Sequence, residues 1–377
     1  MTDAVPSSAP RRETIALPSV ATGTRREIEV LRFGAPGARP KAYLQAGLHA
    51  DELPGMLVLR VLAGLLERGE VIGEVVVVPV ANPIGLAQQV QGYLRGRYED
   101  NSAGNFNRGY ADLAEAVAPV LEGRLGTDAI ANVAAVREAM GVALAGMTPQ
   151  GEIAVLRHAL LSLAHDADFM LDLHADNEAE LHLYLGTPLW PDGADLAAEL
   201  GARAVLLAEI SGGNPFDEAC GGPWWALAKR FPEAAIPPAC LAATVELRSN
   251  NAVDARLAED DAHAILRFLT RRGVVAGRVG ALPAPECEAT PLEAMQQVIA
   301  PVAGLVVYRA RLGDGVEEGE VVAEIVDPLG GAVEVRARTE GVLFARHDQP
   351  IAWPGKVIGK IAGRAALPER TGKLLPD

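Results

Sequence analysis

The chain has 377 residues, of which 49% are hydrophobic and 5% aromatic, as expected for a globular protein with one large domain and a smaller one. The formal net charge of −15 argues against nucleic acid or an anionic membrane surface as a partner. The three cysteines are too few and too scattered for a disulfide framework, and no apolar run is long enough for a signal peptide or a membrane span. We therefore expect a cytoplasmic protein with a small-molecule substrate, compatible with homo-oligomerisation.

Predicted strands and helices alternate after a loose head over residues 1–26. Apolar runs predict strands at residues 27–33, 42–46, 74–81, 169–173, 181–185, 204–210 and 241–245. Helical spacing predicts helices at residues 52–66, two or three between 111 and 166, and others at 194–200, 223–231 and 254–270. Alternation with long connections predicts an α/β fold, with a mixed, largely parallel sheet flanked by helices, over residues 27–272.

The C-terminal part has a different pattern. Residues 273–290 are rich in Gly and Pro and predict a linker or first strand. Residues 291–365 contain short strands punctuated by turns, which predict a small all-β domain similar to a biotinyl/lipoyl-type barrel-sandwich; residues 366–377 form a tail. The hairpin at residues 327–331 has no lysine, so no swinging-arm cofactor is expected.

Two short motifs supply candidate zinc ligands at the ends of predicted strands. His49 and Glu52 are three residues apart at a strand-to-helix junction, and His174 ends a distant strand. Ligands gather at the carboxyl ends of strands in open α/β sheets. A catalytic zinc ion binds three protein ligands and keeps a fourth position open for water. Two histidines and one glutamate are one of the known ligand sets. The sequence therefore predicts one zinc ion per chain at His49, Glu52 and His174.

Two further strand carboxylates have candidate roles. Glu246 lies on an apolar strand and is the candidate general base that accepts a proton from water. Its alternative is a salt bridge with Arg248, since residues two apart share a strand face. Asp172 precedes His174 by two residues and would orient that histidine through its second ring nitrogen. The alternative for Asp172 is a buried carboxylate that binds a loop amide.

The polar, Gly-rich segment at residues 88–110 contains Arg95, Arg97 and Arg108 and is a candidate functional loop. The planar guanidinium of Arg108 can bind a carboxylate through two hydrogen bonds, and Asn107 would add a neutral one. The alternative is that Arg108 forms a salt bridge within its own loop.

Together these motifs resemble the succinylglutamate desuccinylase/aspartoacylase family, a branch of the zinc carboxypeptidases. The resemblance covers most of the chain, including the appended β domain. It implies hydrolysis of the amide bond of an N-acylated amino acid, with Glu246 as general base and acid. It also implies that Arg97 polarises the scissile carbonyl and that Asn107 and Arg108 bind a substrate carboxylate. The family's usual Asp-Leu-Asn-Arg motif begins here with Asn105.

The sequence thus predicts a zinc-dependent hydrolase of linear amides. The alternatives are a metallocarboxypeptidase for short peptides and a non-catalytic metal- or ligand-binding scaffold, although a scaffold needs no general base such as Glu246.

Three acidic residues, Asp176, Glu178 and Glu180, follow His174 closely. An acidic rim of these residues would favour a substrate with a neutral or basic side chain over a dianion. The alternative is a solvated acidic loop that contacts nothing.

Overall fold

The computed structural model describes residues 9–101 and 104–375. Residues 1–8 of the predicted head, residues 102–103 of the predicted functional loop and residues 376–377 of the tail lie outside the described residues. The predicted fold class is confirmed: a large mixed sheet is flanked by helices and followed by an all-antiparallel β region.

The helices form two layers, one on each face of the large sheet. They are α1 (Pro54–Arg68), α2 (Pro83–Leu86), α3 (Leu113–Leu121), α4 (Ala129–Ala145), α5 (Glu152–Ala164), α6 (Ala194–Leu200), α7 (Phe216–Arg230) and α8 (Ala255–Arg271), with 3₁₀ turns at Thr187–Leu189 and Leu292–Ala294. Helices α3, α4, α5 and α7 contribute to one hydrophobic core. Helices α1, α6 and α8 contribute to a second core on the opposite face.

The large sheet is built from strands that lie far apart in the sequence. The strands up to the C-terminal region include nine of the large sheet and three short ones, β5, β6 and β8, that lie outside it. In chain order they are β1 (Arg11–Ala16), β2 (Glu27–Gly34), β3 (Lys41–Ala46), β4 (Glu74–Val78), β5 (Gln89–Val90), β6 (Tyr93–Leu94), β7 (Phe169–Asp176), β8 (Glu178–Ala179), β9 (His182–Leu185), β10 (Ala204–Leu207), β11 (Leu241–Ser249) and β12 (Ala289–Pro291). Across the described residues the order is β1-β2-β4-β3-β7-β11-β9-β10-β12, while β5 and β6 form a separate hairpin. Strands β4, β3, β7 and β11 run parallel, and β3 and β4 are buried along their whole length because helices cover both faces.

The C-terminal β region consists of two antiparallel sheets around its own apolar core. Its strands are β13 (Met295–Ile299), β14 (Gly304–Tyr308), β15 (Gly315–Val316), β16 (Val321–Val326), β17 (Ala332–Arg336), β18 (Gly341–Arg346), β19 (Ile351–Ala352) and β20 (Val357–Gly363). Strand β8 pairs with β18, so the first sheet of this region continues into the part of the chain that follows β7.

The expectation of a loose head is wrong for residues 11–16. Strand β1 pairs antiparallel with β2, with Arg11 opposite Arg32. The strand is almost entirely exposed and is held by backbone hydrogen bonds and by polar contacts such as that of Arg32 with Glu13. It therefore carries no alternation of apolar residues by which the sequence could reveal it.

The segments around the β region are also more tightly integrated than predicted. Strand β12 pairs with β10 and completes the large sheet, rather than leading directly into the β region. In the predicted tail, Leu374 is buried, and its backbone N–H donates to Ser211 O at 2.8 Å. Within the described residues, no helix combines the length and the apolar character needed to cross a membrane.

Candidate active site

A cavity of about 380 Å³ lies at the carboxyl ends of β3, β7 and β11. His49, Glu52, His174 and Glu246 line it, and β18 and β20 of the C-terminal β region form part of its wall. Strands β3, β7 and β11 are parallel neighbours, so residues at their carboxyl ends meet at one edge of the sheet. The four residues that the sequence singled out for metal binding and proton transfer therefore lie together.

The turn after β3 positions the first two of these side chains. The backbone N–H of Glu52 donates to His49 O at 3.1 Å, so that both side chains point to the same side. The functional loop approaches this turn closely, since Ala50 N donates to Gly96 O at 3.1 Å. A Cβ atom at Gly96 would lie 2.4 Å from the backbone nitrogen of Asp51, so a glycine is required there. The close approach brings Arg97, the next residue, to the site.

His49, Glu52 and His174 form a buried cluster whose candidate ligand atoms all lie within 4.8 Å of one another. His49 Nδ1 lies 2.9 Å from one carboxylate oxygen of Glu52, and His174 Nδ1 lies 2.7 Å from the other. The two imidazole rings meet edge to face with centroids 4.8 Å apart. Both Nδ1 atoms and the carboxylate therefore face a common point.

The outer nitrogens of both histidines are held by oxygen atoms. His49 Nε2 lies 2.9 Å from Asn105 Oδ1, and His174 Nε2 lies 2.9 Å from Asp172 Oδ2. Such partners fix the orientation of a ligating histidine and leave the other nitrogen for a metal ion. Asn105 was noted in the sequence only as a departure from the family motif. The structure places its neutral amide against His49.

The electrostatics of the cluster differ between its two histidines. Burial, followed by the charge of Arg97, lowers the pKa of His49 to about 4, so this ring is neutral at pH 7. Burial also opposes protonation of His174, but Asp172 and Glu52 outweigh it and raise the pKa of His174 well above its usual value. The carboxylates around His174 thus favour a positive charge at this point, and a divalent cation is a natural replacement for the proton.

Glu246 on β11 is the register partner of His174 on the neighbouring strand β7, and it lines the same cavity. Within the described chain, its Oε2 atom is buried without a hydrogen-bond partner. Burial, followed by the charge of Glu52, raises the pKa of Glu246 to about 8. The alternative salt bridge is not formed, because Arg248 binds the carboxylate of Asp261 through contacts of 2.8 and 3.1 Å. Glu246 is thus a carboxylate that faces the cavity and is suited to take up a proton.

Arg97 lies over the cluster from the side of the functional loop. Its Nη1 atom is 3.1 Å from Glu52 Oε1 and 3.3 Å from His49 Nδ1. The side chain is 40% exposed, so it can still move toward a ligand in the cavity. Arg97 is thus within reach of any group bound at the cluster.

Asn107 and Arg108 also line the cavity, but the structure uses part of their hydrogen-bonding capacity. Asn107 Oδ1 accepts a hydrogen bond of 2.8 Å from the backbone N–H of Phe216, at the start of α7. Its Nδ2 atom lies 3.4 Å from His174 Nε2. Arg108 Nη1 donates to Asn107 O at 2.7 Å. The side-chain oxygen of Asn107 thus holds α7 in place, and its role toward a substrate carboxylate stays a prediction.

The acidic residues after His174 do not form the expected unpaired acidic rim. Asp176 forms an ion pair with Lys360 of β20, and Glu178 forms one with Arg346 of β18. The reason is the pairing of β8 with β18, which places two cations of the β region against this segment. The argument from an acidic rim to substrate charge is therefore wrong.

The cavity also contains residues that the sequence motifs did not assign to it. Lys360 and Arg346 come from the β region, whereas Asp217 and Trp225 come from α7. No spacing rule connects these residues to His49 or His174, because the contacts depend on how the β region and α7 pack against the large sheet.

The chain is similar in sequence and in fold to known proteins. The sequence model of the succinylglutamate desuccinylase/aspartoacylase catalytic domain matches residues 38–135. A succinylglutamate desuccinylase/aspartoacylase structure from Shewanella frigidimarina NCIMB 400 is 25% identical, with a TM-score of 0.84 over 94% of this chain and 98% of its own. A structure of that family from Shewanella amazonensis SB2B is 27% identical, with a TM-score of 0.81 over 93% of this chain and 98% of its own.

More distant structures share the fold. The ectoine utilization protein EutE (DoeB) from Ruegeria pomeroyi, in a product-bound structure, is 18% identical with a TM-score of 0.67, and the alignment covers 95% of this chain and 96% of that one. No curated protein matches the chain significantly. The matched catalytic segment and the two Shewanella structures confirm that this chain resembles the succinylglutamate desuccinylase/aspartoacylase family.

Proposed function

We propose that the protein is a zinc-dependent hydrolase that cleaves the amide bond of a small N-acyl amino acid. The observation that carries this proposal is the convergence of His49, Glu52 and His174 with the carboxylate of Glu246 in one cavity. The family names of the similar proteins support deacylation as the class of reaction.

The residues of the cluster fit a zinc ion. Two imidazole nitrogens and one carboxylate are a donor set found in catalytic zinc sites, where a further position stays open. Both outer nitrogens already have an oxygen atom at 2.9 Å, so the rings need no rearrangement to present Nδ1. A bound zinc ion would polarise the scissile carbonyl and make water more acidic.

Glu246 would perform the proton transfers. Its carboxylate accepts one proton from the attacking water, while the water oxygen forms a bond to the acyl carbon. Glu246 then returns this proton to the amide nitrogen as the C–N bond breaks, and the second proton of the water passes to the released amine. The products are a carboxylate and a protonated amine. Arg97, beside the cluster, would stabilise the negative charge that develops on the carbonyl oxygen.

Substrate orientation would depend on Asn107 and Arg108, which line the cavity, with Asn107 beside His174. Asn107 Nδ2 and the guanidinium of Arg108 supply hydrogen-bond donors there, which suit the α-carboxylate of an amino acid. That arrangement would serve the C-terminal carboxylate of a peptide equally well. The walls contributed by β18 and β20 favour the small substrate, because an extended peptide needs an open groove. A purely binding role would give no reason for the buried, unpaired oxygen of Glu246.

The proposal is tested by assaying the zinc-loaded chain with N-acetyl, N-succinyl and N-formyl amino acids and measuring the amine released. We expect release with at least one acyl class, loss of activity on treatment with a chelator, and recovery on addition of zinc. Absence of hydrolysis across the panel, in protein that binds one zinc ion per chain, would refute the proposal.

A further inference from the structure

One face of α7 forms the side of the cavity beyond the metal cluster. Asp217, Gly221 and Trp225 follow one another at intervals of four residues and so share a helix face. Asp217 and Trp225 both line the cavity. Gly221 lies between them, and the Trp225 ring packs against it. This face therefore presents a carboxylate at the start of the helix and an aromatic ring that lies over Gly221, one turn further on.

The Trp225 ring packs between small residues of the cavity. A Cβ atom at Gly186 would lie 2.6 Å from the ring, so a glycine is needed for the ring to fit. Leu185, Leu206 and Ala242 are among the apolar residues that also line the cavity. The surroundings suit the methylene groups of a side chain, and an indole ring also attracts a cation near its face.

The carboxylate of Asp217 forms no ion pair with a Lys or Arg among the residues that the structure describes. Its ionised form is favoured by a hydrogen bond from the backbone N–H of Glu218 and by the charge of His174. Burial, followed by the charge of Glu218, raises the pKa of Asp217 to about 7. A carboxylate in these surroundings is stabilised when a positively charged group binds beside it.

Four Lys and Arg side chains line the cavity, of which Arg108 is assigned to the α-carboxylate of the substrate and the other three contact carboxylates of the protein. Arg97 contacts Glu52, Arg346 pairs with Glu178, and Lys360 pairs with Asp176. A substrate with a second carboxylate would have to displace one of these existing partners. A substrate with a cationic side chain would instead neutralise the carboxylate of Asp217, and no existing ion pair would have to break.

We propose that the cavity selects N-acyl amino acids with a cationic side chain, whose ammonium group binds Asp217 and whose methylene groups lie against Trp225. The inference rests on the proposed function, because the amino-acid end of the substrate is taken to bind near Asn107. Asp217 is then a residue that determines specificity. An ordinary first-turn acid that only interacts with the helix dipole would not affect ligand choice.

Binding of two isosteric amino acids tests the proposal directly. L-ornithine and L-norleucine have side chains of equal length that differ only in the terminal ammonium or methyl group. Calorimetry on the zinc-loaded full chain should give an affinity for ornithine at least about tenfold higher than for norleucine, the effect of one hydrogen-bonded charge. Asp217→Asn should reduce this ratio to near one, whereas Asp217→Glu should keep part of it. Glu233→Gln, which removes an exposed carboxylate just after α7, is the matched control and should keep the full ratio.

Kinetics separate this inference from the proposed function. The kcat/KM ratio of Nα-acetyl-ornithine to N-acetyl-norleucine should also fall by about tenfold or more in Asp217→Asn. Hydrolysis without a preference for ornithine, or a preference for N-acetyl-glutamate, would overturn the inference and leave the proposed function standing. Failure to hydrolyse either compound, with ornithine binding that still depends on Asp217, would count against the proposed function and support the cation site. An unchanged ornithine-to-norleucine binding ratio in Asp217→Asn would refute the inference.

Discussion

Lys360, in the last strand of the β region, forms an ion pair with Asp176, which lies two residues after His174. The pair joins positions 184 residues apart and ties β20 to the end of β7. Burial alone would raise the pKa of Asp176, but Lys360, His182 and the backbone N–H of Asn177 together outweigh burial and hold that pKa well below its usual value. The charge of Lys360 also favours the ionised form of Glu246. The β region therefore sets part of the charge balance of the candidate active site.

Replacement of Lys360 by Met should weaken both stability and activity. Asp176 would keep its charge without a partner, and because both groups are partly exposed we expect a loss of roughly 1–3 kcal/mol in the free energy of unfolding. Glu246 would lose a cation that favours its ionised form, so the acidic limb of the kcat/KM profile should move to higher pH. Urea unfolding and a pH–rate profile measure the two effects.

The matched control for Lys360→Met is Arg364→Met, since Arg364 follows β20 directly and its side chain is 70% exposed. This control should change neither quantity. Combining Lys360→Met with Asp176→Asn removes both charges and should recover most of the lost stability. Unchanged stability and pH profile in Lys360→Met would show that the ion pair contributes to neither.

Loss of either candidate histidine ligand should abolish stoichiometric zinc. His49→Ala and His174→Ala each remove one of two imidazole donors, and the remaining pair of ligands holds zinc weakly. Metal content after dialysis, with circular dichroism to verify folding, measures the effect. His158→Ala is the control, because His158 lies on α5 with its Nε2 atom 2.9 Å from Leu144 O, outside the cluster. One zinc ion per chain in both ligand variants would mean that the metal binds elsewhere.

Glu246→Gln should separate metal binding from turnover. The amide cannot accept a proton from water, so we expect kcat to fall by roughly 10²–10⁴-fold while zinc content stays at one per chain. Glu209→Gln, which removes an exposed carboxylate paired with Lys229, should leave kcat unchanged. Near-native turnover of the Gln variant would assign proton transfer to another group.

The sequence was sufficient to predict the positions of those site residues that lie at the ends of strands. His49, His174 and Glu246 each follow or end an apolar run, and parallel neighbouring strands bring such positions to one edge. The position of Lys360 was not predictable, because it depends on the pairing of two short strands, β8 and β18, whose residues Glu178 and Arg346 lie 168 positions apart and carry no local signal. Pairing between strands that lie far apart in the sequence is determined by packing. Because that packing brings Lys360 and Arg346 to the acidic residues after His174, the sequence alone could not show that those residues are paired.

Helix α7 shows a second limit of prediction from the sequence, which is the position where a helix begins. Pro223 and the glycines before it suggested that a helix begins at residue 223, whereas α7 begins at Phe216 and continues through the proline. A Cβ atom at Gly221 would lie 3.3 Å from Ala242 Cβ, so the small residues let the helix pack closely on β11. Tertiary packing thus outweighs intrinsic propensity here. The extra turns carry Asp217, which sequence patterns therefore left in a loop.

The raised pKa of Asp217 predicts a pH-dependent effect on stability. In the unfolded chain this carboxyl group has a pKa near 3.9, and in the folded protein burial raises it to about 7. The folded state therefore favours the protonated form, so the group contributes stability below about pH 4 that is lost as pH rises through about 7. Asp217→Asn cannot ionise, and its stability relative to the wild type should increase between these two values and stay constant above them.

At pH 8 we expect Asp217→Asn to have a free energy of unfolding higher than that of the wild type by roughly 1–3 kcal/mol, given the partial exposure of the side chain. Urea unfolding measures this difference. The difference should vanish near pH 4. Saturating ornithine should stabilise the wild type more than the variant, because the bound ammonium balances the ionised carboxylate. A variant that is less stable than the wild type at pH 8 would mean that the favourable interaction of Asp217 with the N-terminus of α7 exceeds the cost of burying its charge.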